Sequence, residues 1–431
     1  MNGGAVGRDG VLPRHLEADW ETEVGLIQKK MRSGTYEFTS YREIVLSKGA
    51  HSLPRVVSVP TARDRIVLKA LAKVLSELFP SARTPMAQIR VSQLADALSR
   101  KTLQAFIRVD VKNFYPTISH RAITEELHRK IRSRSIRHLV ARAISTLTVS
   151  SSAPRPDQSS LVGVPQGLSI SNILAEIAMT QIDARFHADP SIEYFRYVDD
   201  ILILSRPDDV TRVLEDVGTQ CRSIGLTIHP LGAGSKTQTG SLSETFDYLG
   251  YLFSPDGVSV RLSSINRLES TIIRLFTAYK YQLAKDPENK DWQAASLKSL
   301  QRRLDLVITG CVYDHIPRGW IHYFSQMNDL TLLSKLDAYV SKLKLRFGLD
   351  LRLETKSFTR AYWHVTKPGP KSFRYIPNFD KYDEAEKRSL LSALFPRQKF
   401  DTLPTADLER RFRAEVTRLV SMLERDVSET S

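Results

Sequence analysis

The chain has 431 residues, with 62 Lys and Arg against 48 Asp and Glu, for a formal net charge of +14. At roughly 100–200 residues per domain this length allows two to four domains and a large buried core. A hydrophobic content of 42% and a charged content of 26% exclude a mostly disordered chain, a collagen-like chain and a coiled-coil rod. No run approaches the roughly 18 apolar residues that a membrane helix needs. The N-terminus lacks the apolar stretch of an export signal. Cys221 and Cys311 are too few for a disulfide framework or a multi-cysteine zinc site, and they read as reduced thiols. A cytoplasmic setting with no membrane partner is expected. The positive balance fits a polyanionic partner, or a basic protein with no such role.

The first 20 residues are Gly-rich and irregular. Arg55-Val-Val-Ser-Val reads as a short strand, followed by Pro60 and a helix reaching Phe79. In that helix Ile66, Val67, Ala70, Leu71, Val74, Leu75 and Leu78 recur at helical spacing, and Asp64 stands at its N-terminal end. Ala105-Phe-Ile-Arg-Val-Asp alternates as a half-buried strand. Residues 120–147 read as a basic helical stretch, and 150–160 as a loop of Ser, Pro and Asp. Ser171 to Phe186 has the pattern of an amphipathic helix. Glu193 to Leu204 reads as strand, turn, strand. Asp208 to Ile224 is helical and ends at Gly225, a C-cap. Leu226-Thr-Ile is a short strand, followed by a loop with Gly232, Gly234 and Lys236. Phe246 to Phe253 reads as one strand that turns at Pro255-Asp-Gly257. Residues 261–347 are helical in pattern throughout, and a last helix falls around Leu408 to Leu423. The middle is thus α/β with carboxylates at strand ends, and the flanks are helical.

Three carboxylates sit where an apolar core would not choose them. Asp110 ends an apolar strand, and Asp199 and Asp200 interrupt an apolar hairpin. A charge beside apolar strands costs several kcal/mol unless it is paired or metal-bound. If Asp110 neighbours the hairpin, the carboxylates can hold two Mg²⁺ ions roughly 4 Å apart, the arrangement used for in-line phosphoryl transfer. The plainer alternative is that Asp-Asp is a turn pair. Between the acidic sites lies Gly163-Val-Pro-Gln-Gly-Leu-Ser-Ile-Ser-Asn-Ile-Leu-Ala-Glu-Ile. Its loop supplies backbone freedom and a side-chain amide, and the helix start that follows favours phosphate. Phe246-Asp-Tyr-Leu-Gly-Tyr251 is a third landmark.

These residues resemble the prokaryotic reverse transcriptases, the superfamily of intron-encoded, retron and phage-defence enzymes. Leu53-Pro-Arg-Val-Val-Ser-Val-Pro-Thr-Ala-Arg-Asp-Arg-Ile-Val resembles the fingers motif. Asp110 to Ile118 resembles the first catalytic motif, Val164-Pro-Gln-Gly the nucleotide-side loop, and Tyr197-Val-Asp-Asp the second catalytic motif. Tyr248-Leu-Gly-Tyr resembles the primer grip. Gly319-Trp-Ile-His-Tyr-Phe with Leu336-Asp-Ala-Tyr-Val resembles a bacterial thumb segment. Each motif is weak alone; five in order, over roughly residues 40–350, are strong.

The resemblance implies an α/β (α+β) right-hand polymerase, with an antiparallel palm sheet, a helical fingers extension and a helical thumb. The expected divisions are 1–105 for the N-terminal segment and fingers, and 106–255 for the palm with inserted fingers helices at about 120–160. Residues 256–350 would form the thumb, and 351–431 a basic and aromatic extension. Asp110 and Asp199 would ligate two Mg²⁺ ions, with Mn²⁺ as a substitute, and Asp200 would support them or shape the turn. Tyr115 would crowd a ribose 2′-hydroxyl, or else pack beside Phe114. Gln166, Gly167 and Tyr197 would line the nucleotide site. Arg55, Arg63 and Arg65 are candidates for gripping the triphosphate, since a guanidinium fork suits phosphate oxygens. Leu249, Gly250 and Tyr251 would form the primer grip. Lys236 would protonate the leaving pyrophosphate, although extra residues precede it in His229-Pro-Leu-Gly-Ala-Gly-Ser-Lys-Thr.

The stretch from Lys335 to Tyr375 holds ten Lys or Arg against three acids, with Phe347, Tyr362, Trp363 and Tyr375 interleaved. That composition suits a nucleic-acid groove or a solvated basic face. The basic helix at 120–142 is a weaker RNA-facing candidate. His51, His128 and His229 read as surface or structural. The expected function is RNA-directed DNA polymerisation from deoxynucleoside triphosphates and a primer. The wording from Gly167 to Ile177 resembles the abortive-infection and defence-associated branch, whose members work with a dedicated structured non-coding RNA. An RNA-binding maturase, a splicing cofactor and a protein-primed or untemplated DNA polymerase stay open, as does an oligomer or partner protein.

Overall fold

The structure is a computed structural model and describes residues 5–12, 15–16, 19–47, 54–152, 159–232, 234–369, 372–395, 397–425 and 427. Leu53 of the fingers motif, His51, Ala233 and Lys371 lie outside the described residues. The chain divides into two compact units: Met1–Met86 with Lys101–Ser241, and Ala87–Arg100 with Leu242–Ser431.

The first unit opens with helix α1 (Trp20–Arg32), then strands β1 (Tyr41–Leu46) and β2 (Arg55–Val59), which pair antiparallel. Helix α2 (Ala62–Leu78) follows, starting two residues earlier than Asp64. Thr61 caps it, accepting from the Asp64 amide at 3.2 Å. Asp64 is instead a buried hub. Its carboxylate accepts from the Tyr36 hydroxyl at 2.8 Å, the Thr61 hydroxyl at 2.8 Å and the Thr39 amide at 3.2 Å. The chain then supplies one helix, α3 (Ala87–Ser99), to the second unit and returns with β3 (Ala105–Lys112).

The basic stretch forms two helices, α4 (His120–Lys130) and α5 (Arg134–Ser145), because Ser133 starts a fresh helix by capping the Ile136 amide. Strand β4 (Thr148–Val149) pairs with β1. Helix α6 (Ser171–His187) is buried along most of its length. The hairpin β5 (Glu193–Tyr197) and β6 (Asp200–Ser205) comes next, then α7 (Val210–Ser223), β7 (Thr227–Ile228) and β8 (Gln238–Ser241). Gly225 closes α7 with φ 84°, as a C-cap requires. The sheet runs β5-β6-β3-β7, all antiparallel, and β8 also pairs with β3. Its apolar face packs against α6, whose Leu174, Ala175, Ile177 and Met179 are buried with Ile107, Val109, Ile201 and Ile203.

The second unit begins with a meander of β9 (Phe246–Tyr248), β10 (Tyr251–Ser254) and β11 (Gly257–Val260). The single strand expected over 246–253 is therefore a tight hairpin. Leu249 at φ 50° and Gly250 at φ 79° form its two-residue turn, and Tyr248 faces Tyr251. Helices α8 (Leu262–Leu283) and α9 (Lys290–Thr309) follow. The helical pattern over 261–347 is broken by a second hairpin, β12 (Cys311–Tyr313) and β13 (Ile316–Arg318). Its turn, Asp314-His315, has both φ values positive. The Asp380 carboxylate holds it, accepting from both turn amides at 2.8 Å. Helices α10 (Leu330–Arg346), α11 (Phe358–Thr366), α12 (Glu384–Leu394) and α13 (Thr405–Arg425) complete the unit. Asp337 of α10 receives the start of α11, accepting from the Phe358 amide at 2.6 Å and the Thr359 amide at 3.1 Å. Both cysteines are buried free thiols. Among the described residues, no helix is long and apolar enough to cross a membrane.

Candidate active site

Strand pairing brings the three carboxylates together. Asp110 on β3 stands directly opposite Asp200 on β6. Directly opposed residues on antiparallel strands share a face, with Cβ atoms about 5 Å apart. Asp199 precedes Asp200 in the two-residue turn that Tyr197 and Asp200 close. The turn is strained: Val198 has φ 58°, a left-handed conformation that a β-branched residue adopts only under constraint.

Two of the carboxylates, Asp110 and Asp200, already face cations. Arg108, two residues before Asp110 on the same strand face, grips both oxygens of Asp200 at 3.3 Å. Asp200 is buried, and burial pushes its carboxyl up to about 6, with Asp199 and Asp110 adding to the rise and Arg108 opposing it. Lys236 Nζ lies 3.4 Å from both oxygens of Asp110. His229 Nε2 lies 3.2 Å from Asp110 Oδ1, and the His229 amide donates to the Asp110 carbonyl at 3.0 Å. His229 thus belongs to the site, which its sequence neighbourhood does not show. His128 is exposed and bonded to the Thr124 carbonyl of its own helix.

The extra residues before Lys236 are accommodated as an extruded loop. A bridge between Leu231 and Thr237 closes its neck, and Lys236 emerges beside the buried Thr237.

Tyr115 sits in a single helical turn, Phe114–Thr117, just after β3. Its hydroxyl donates to Asn172 Oδ1 at 2.8 Å, and its ring meets Phe114 edge-on at 5.3 Å. Burial raises the phenol above its ordinary value, Asp199 and Glu176 raise it further, and Arg55 pulls the other way. Tyr115 is therefore within electrostatic reach of both the Val198-Asp199 turn and β2. The Val164 amide donates to the Tyr115 carbonyl at 2.8 Å, and the Ser58 amide to the Gln166 carbonyl at 2.7 Å. The Pro165-Gln166-Gly167 loop is thus stitched to Tyr115 on one side and β2 on the other. Gly167 is required there: at φ 97°, an added Cβ would stand 2.7 Å from Val57 Cγ1.

The three arginines separate. Arg55, at the start of β2, has a buried Nε with no hydrogen-bond partner. Arg65 donates to the Ala5 carbonyl. Arg63 is committed elsewhere, its fork gripping Glu23 of α1 with two bonds of 2.7 Å. Arg42 on β1, which the sequence pattern does not mark, is near enough to oppose the Arg65 charge.

In the second unit, the Leu249-Gly250 turn presents backbone. Leu249 and Tyr251 are themselves buried, and the Leu249 carbonyl accepts from the Tyr323 hydroxyl at 3.1 Å. The rings of the basic stretch are mostly engaged. Phe347 packs on Phe276 at 5.3 Å, Tyr362 is buried, and Tyr375 lies under both Lys356 and Arg360. Trp363 is 42% exposed, with Lys367 over its ring.

Among the described residues, no group of three or more His, Cys, Asp or Glu side chains is already arranged around a metal position. Arg108 and Lys236 each hold one of the carboxylates. The donors are nevertheless hard oxygens converging from a strand pair and its turn, which is the chemistry that Mg²⁺ takes. Because the folded pKa of Asp200 lies above its unfolded value, the protonated carboxyl favours the fold. That stabilisation is full below about pH 4 and is lost as pH rises through about 6, on the order of 3 kcal/mol. Urea unfolding of the metal-free protein is expected to lose this stability across the window relative to Asp200→Asn. Parallel pH profiles for the two proteins contradict the burial of this charge.

An antiparallel sheet backed by helices, with a carboxylate on its central strand opposite an Asp-Asp turn, is a polymerase palm. Residues 46–253, just under half of the chain, match the family described as Reverse transcriptase (RNA-dependent DNA polymerase), so this segment is a reverse transcriptase domain. The chain is 22% identical to Protein YkfC of Escherichia coli over 294 residues, 57% of this chain and 74% of that protein. It is 23% identical to the COX1/OXI3 intron 1 protein of Saccharomyces cerevisiae over 292 residues, 53% of this chain but only 34% of that protein. Similar solved structures include apo telomerase from Candida tropicalis, at 13% identity and a TM-score of 0.42, covering 90% of this chain and 69% of that one. Telomerase from Candida albicans, in complex with a fragment of telomeric RNA, gives 12% identity and a TM-score of 0.39, covering 92% and 70%.

Proposed function

We propose that the chain synthesises DNA on an RNA template by nucleotidyl transfer at Asp110, Asp199 and Asp200. The observation that carries this reading is the register that sets Asp110 opposite Asp200 at the root of a strained Val198-Asp199 turn. Two Mg²⁺ ions, held by Asp110 and Asp199 with Asp200 beside them, supply when bound the charge that stabilises the attacking and leaving oxygens. The remaining work falls to the protein. Arg55 and Arg65 hold the triphosphate, and Gln166 and Gly167 seat the nucleotide beside Tyr197. The Tyr115 ring excludes a ribose 2′-hydroxyl. Lys236 gives its proton to the leaving pyrophosphate. Arg63 has no part in the grip, because Glu23 occupies its fork.

The primer sits on the turn at Leu249, Gly250 and Tyr251. The partners are an RNA template, a primer or DNA product and deoxynucleoside triphosphates, in the cytoplasm. The wording from Gly167 to Ile177 supports a dedicated structured RNA in antiphage defence. A second reading, an RNA-binding splicing cofactor, is favoured by the intron-encoded relative from yeast.

Purified protein with Mg²⁺, an RNA template, an annealed primer and deoxynucleotides is expected to extend the primer. No incorporation, beside a working control enzyme, overturns the polymerase reading and leaves the cofactor reading. Tyr115→Ala is expected to raise the use of ribonucleotides relative to deoxynucleotides by about tenfold or more. Competition between the two nucleotide types in the same assay measures it, and an unchanged ratio removes Tyr115 as the gate.

A further inference from the structure

Arg196 is a charged side chain inside the core, 6% exposed, on β5 just before the catalytic turn. Two carboxylates of α6 hold its guanidinium. Asp183 accepts from Nε at 2.7 Å and from Nη2 at 2.5 Å, and Glu176 accepts from Nη1 at 3.2 Å and from Nη2 at 2.7 Å. The Tyr194 hydroxyl also donates to Asp183, at 2.9 Å. A buried ion network of this kind is a poor source of stability, because removing the charges from water offsets most of their attraction. Its value has to lie in what it holds in place.

What it holds is the turn. Arg196 Nη1 also donates to the Val198 carbonyl at 2.8 Å. Val198 is the residue with φ 58°, and Asp199 follows it directly. A β-branched residue does not stay in that conformation unless its surroundings impose it. The Arg196 bond fixes the orientation of the Val198-Asp199 peptide, and with it the direction in which Asp199 leaves the backbone. The same helix also reaches the nucleotide side. Helix α6 begins just after the Pro165-Gln166-Gly167 loop, and its Asn172 accepts from the Tyr115 hydroxyl. One rigid element therefore references both the Tyr115 ring and the Asp199 backbone.

We propose that Arg196 is a positioning residue, anchored by Glu176 and Asp183, that locks the strained Val198-Asp199 peptide and so aims the Asp199 carboxylate. The proposal rests on the polymerase reading for its kinetic consequence, but its structural consequence does not. Arg196→Lys keeps the charge but loses the fork that spans both carboxylates and the carbonyl. It is expected to lower kcat about 100-fold, the effect of a misplacement near 1 Å. KM for the deoxynucleotide is expected to stay within about threefold. Adding Val198→Gly, which accepts a positive φ without support, is expected to restore about tenfold of the lost kcat. Val217→Ala, a core truncation on α7, serves as a destabilised control and should retain kcat.

Hydrogen exchange over residues 197–201, measured on the same proteins, should be about tenfold faster in Arg196→Lys and unchanged in Val217→Ala. A wild-type enzyme that shows no activity above Asp199→Ala overturns the polymerase reading, and the exchange data then decide the inference alone. Activity in the wild type, with Arg196→Lys equal to it in both kcat and exchange, overturns the inference alone. So does a loss of kcat that Val217→Ala shares at an equal loss of stability. If Arg196→Lys does not fold, Glu176→Gln is read in its place. It removes one of the two anchoring charges, and is expected to cost several-fold in kcat at unchanged KM. Wild-type kcat and exchange in that variant overturn the proposal.

Discussion

Asp110→Asn is expected to reduce deoxynucleotide incorporation by about a thousandfold or more, equivalent to about 4 kcal/mol of transition-state stabilisation. The reason lies in the strand. Asp110 is placed by backbone pairing with β6 on one side and β7 on the other, and its own carbonyl accepts from the His229 amide. Asparagine keeps that backbone and the side-chain shape, so the fold should survive. What is lost is the negative charge that a hard cation requires. Asp200→Asn should cost much less, about tenfold, because Arg108 already takes both Asp200 oxygens. Single-turnover primer extension in Mg²⁺, with template binding measured in parallel, checks both. The expected pattern is unchanged RNA affinity with the two rates separated in that order. Equal losses at the two positions would show that Asp200 is as much a ligand as Asp110.

The family resemblance already implies that order, with Asp110 a ligand and Asp200 a support, but the physical reason for it could not be drawn from the sequence. The local pattern is enough to mark Ala105 to Asp110 as a strand and Glu193 to Leu204 as a hairpin, because alternation and apolar runs are short-range signals. It also marks Asp110, Asp199 and Asp200 as out of place among apolar neighbours. It does not reveal register. Only the pairing of β3 with β6 puts Asp110 opposite Asp200 and Arg108 within reach of it.

His229 was hidden for the same reason, since its partner lies 119 positions away. The hairpins at Leu249-Gly250 and Asp314-His315 escaped because neither turn carries the usual Asn-Gly or Asp-Gly pair. Tertiary contacts hold both: the Tyr323 hydroxyl on the Leu249 carbonyl, and the Asp380 carboxylate on the Asp314 and His315 amides. Helix α2 starts two residues before Asp64 because Thr61 supplies its cap. The interleaved rings of Lys335 to Tyr375 looked free to stack on bases, but composition cannot show that Lys356 and Arg360 already cover Tyr375.

Lys236→Ala is expected to slow incorporation by about 100-fold, the usual contribution of a positioned proton donor. Two roles for this side chain are compatible with its 3.4 Å approach to both Asp110 oxygens. In one, the ammonium only balances the carboxylate charge until a metal arrives. In the other, it leaves Asp110 for the pyrophosphate and delivers a proton. Its 67% exposed side chain and its place at the neck of an extruded loop leave it room to make that move. Lys236→Arg separates the two. Arginine keeps the positive charge but holds its protons throughout the working pH range. A charge-balancing role therefore predicts that Lys236→Arg restores most of the rate. A general-acid role predicts that it is as slow as Lys236→Ala, and that both variants lose the alkaline limb of the rate profile. The second outcome is expected, because a cation that merely neutralised Asp110 would compete with the metal and gain the enzyme nothing in the transition state.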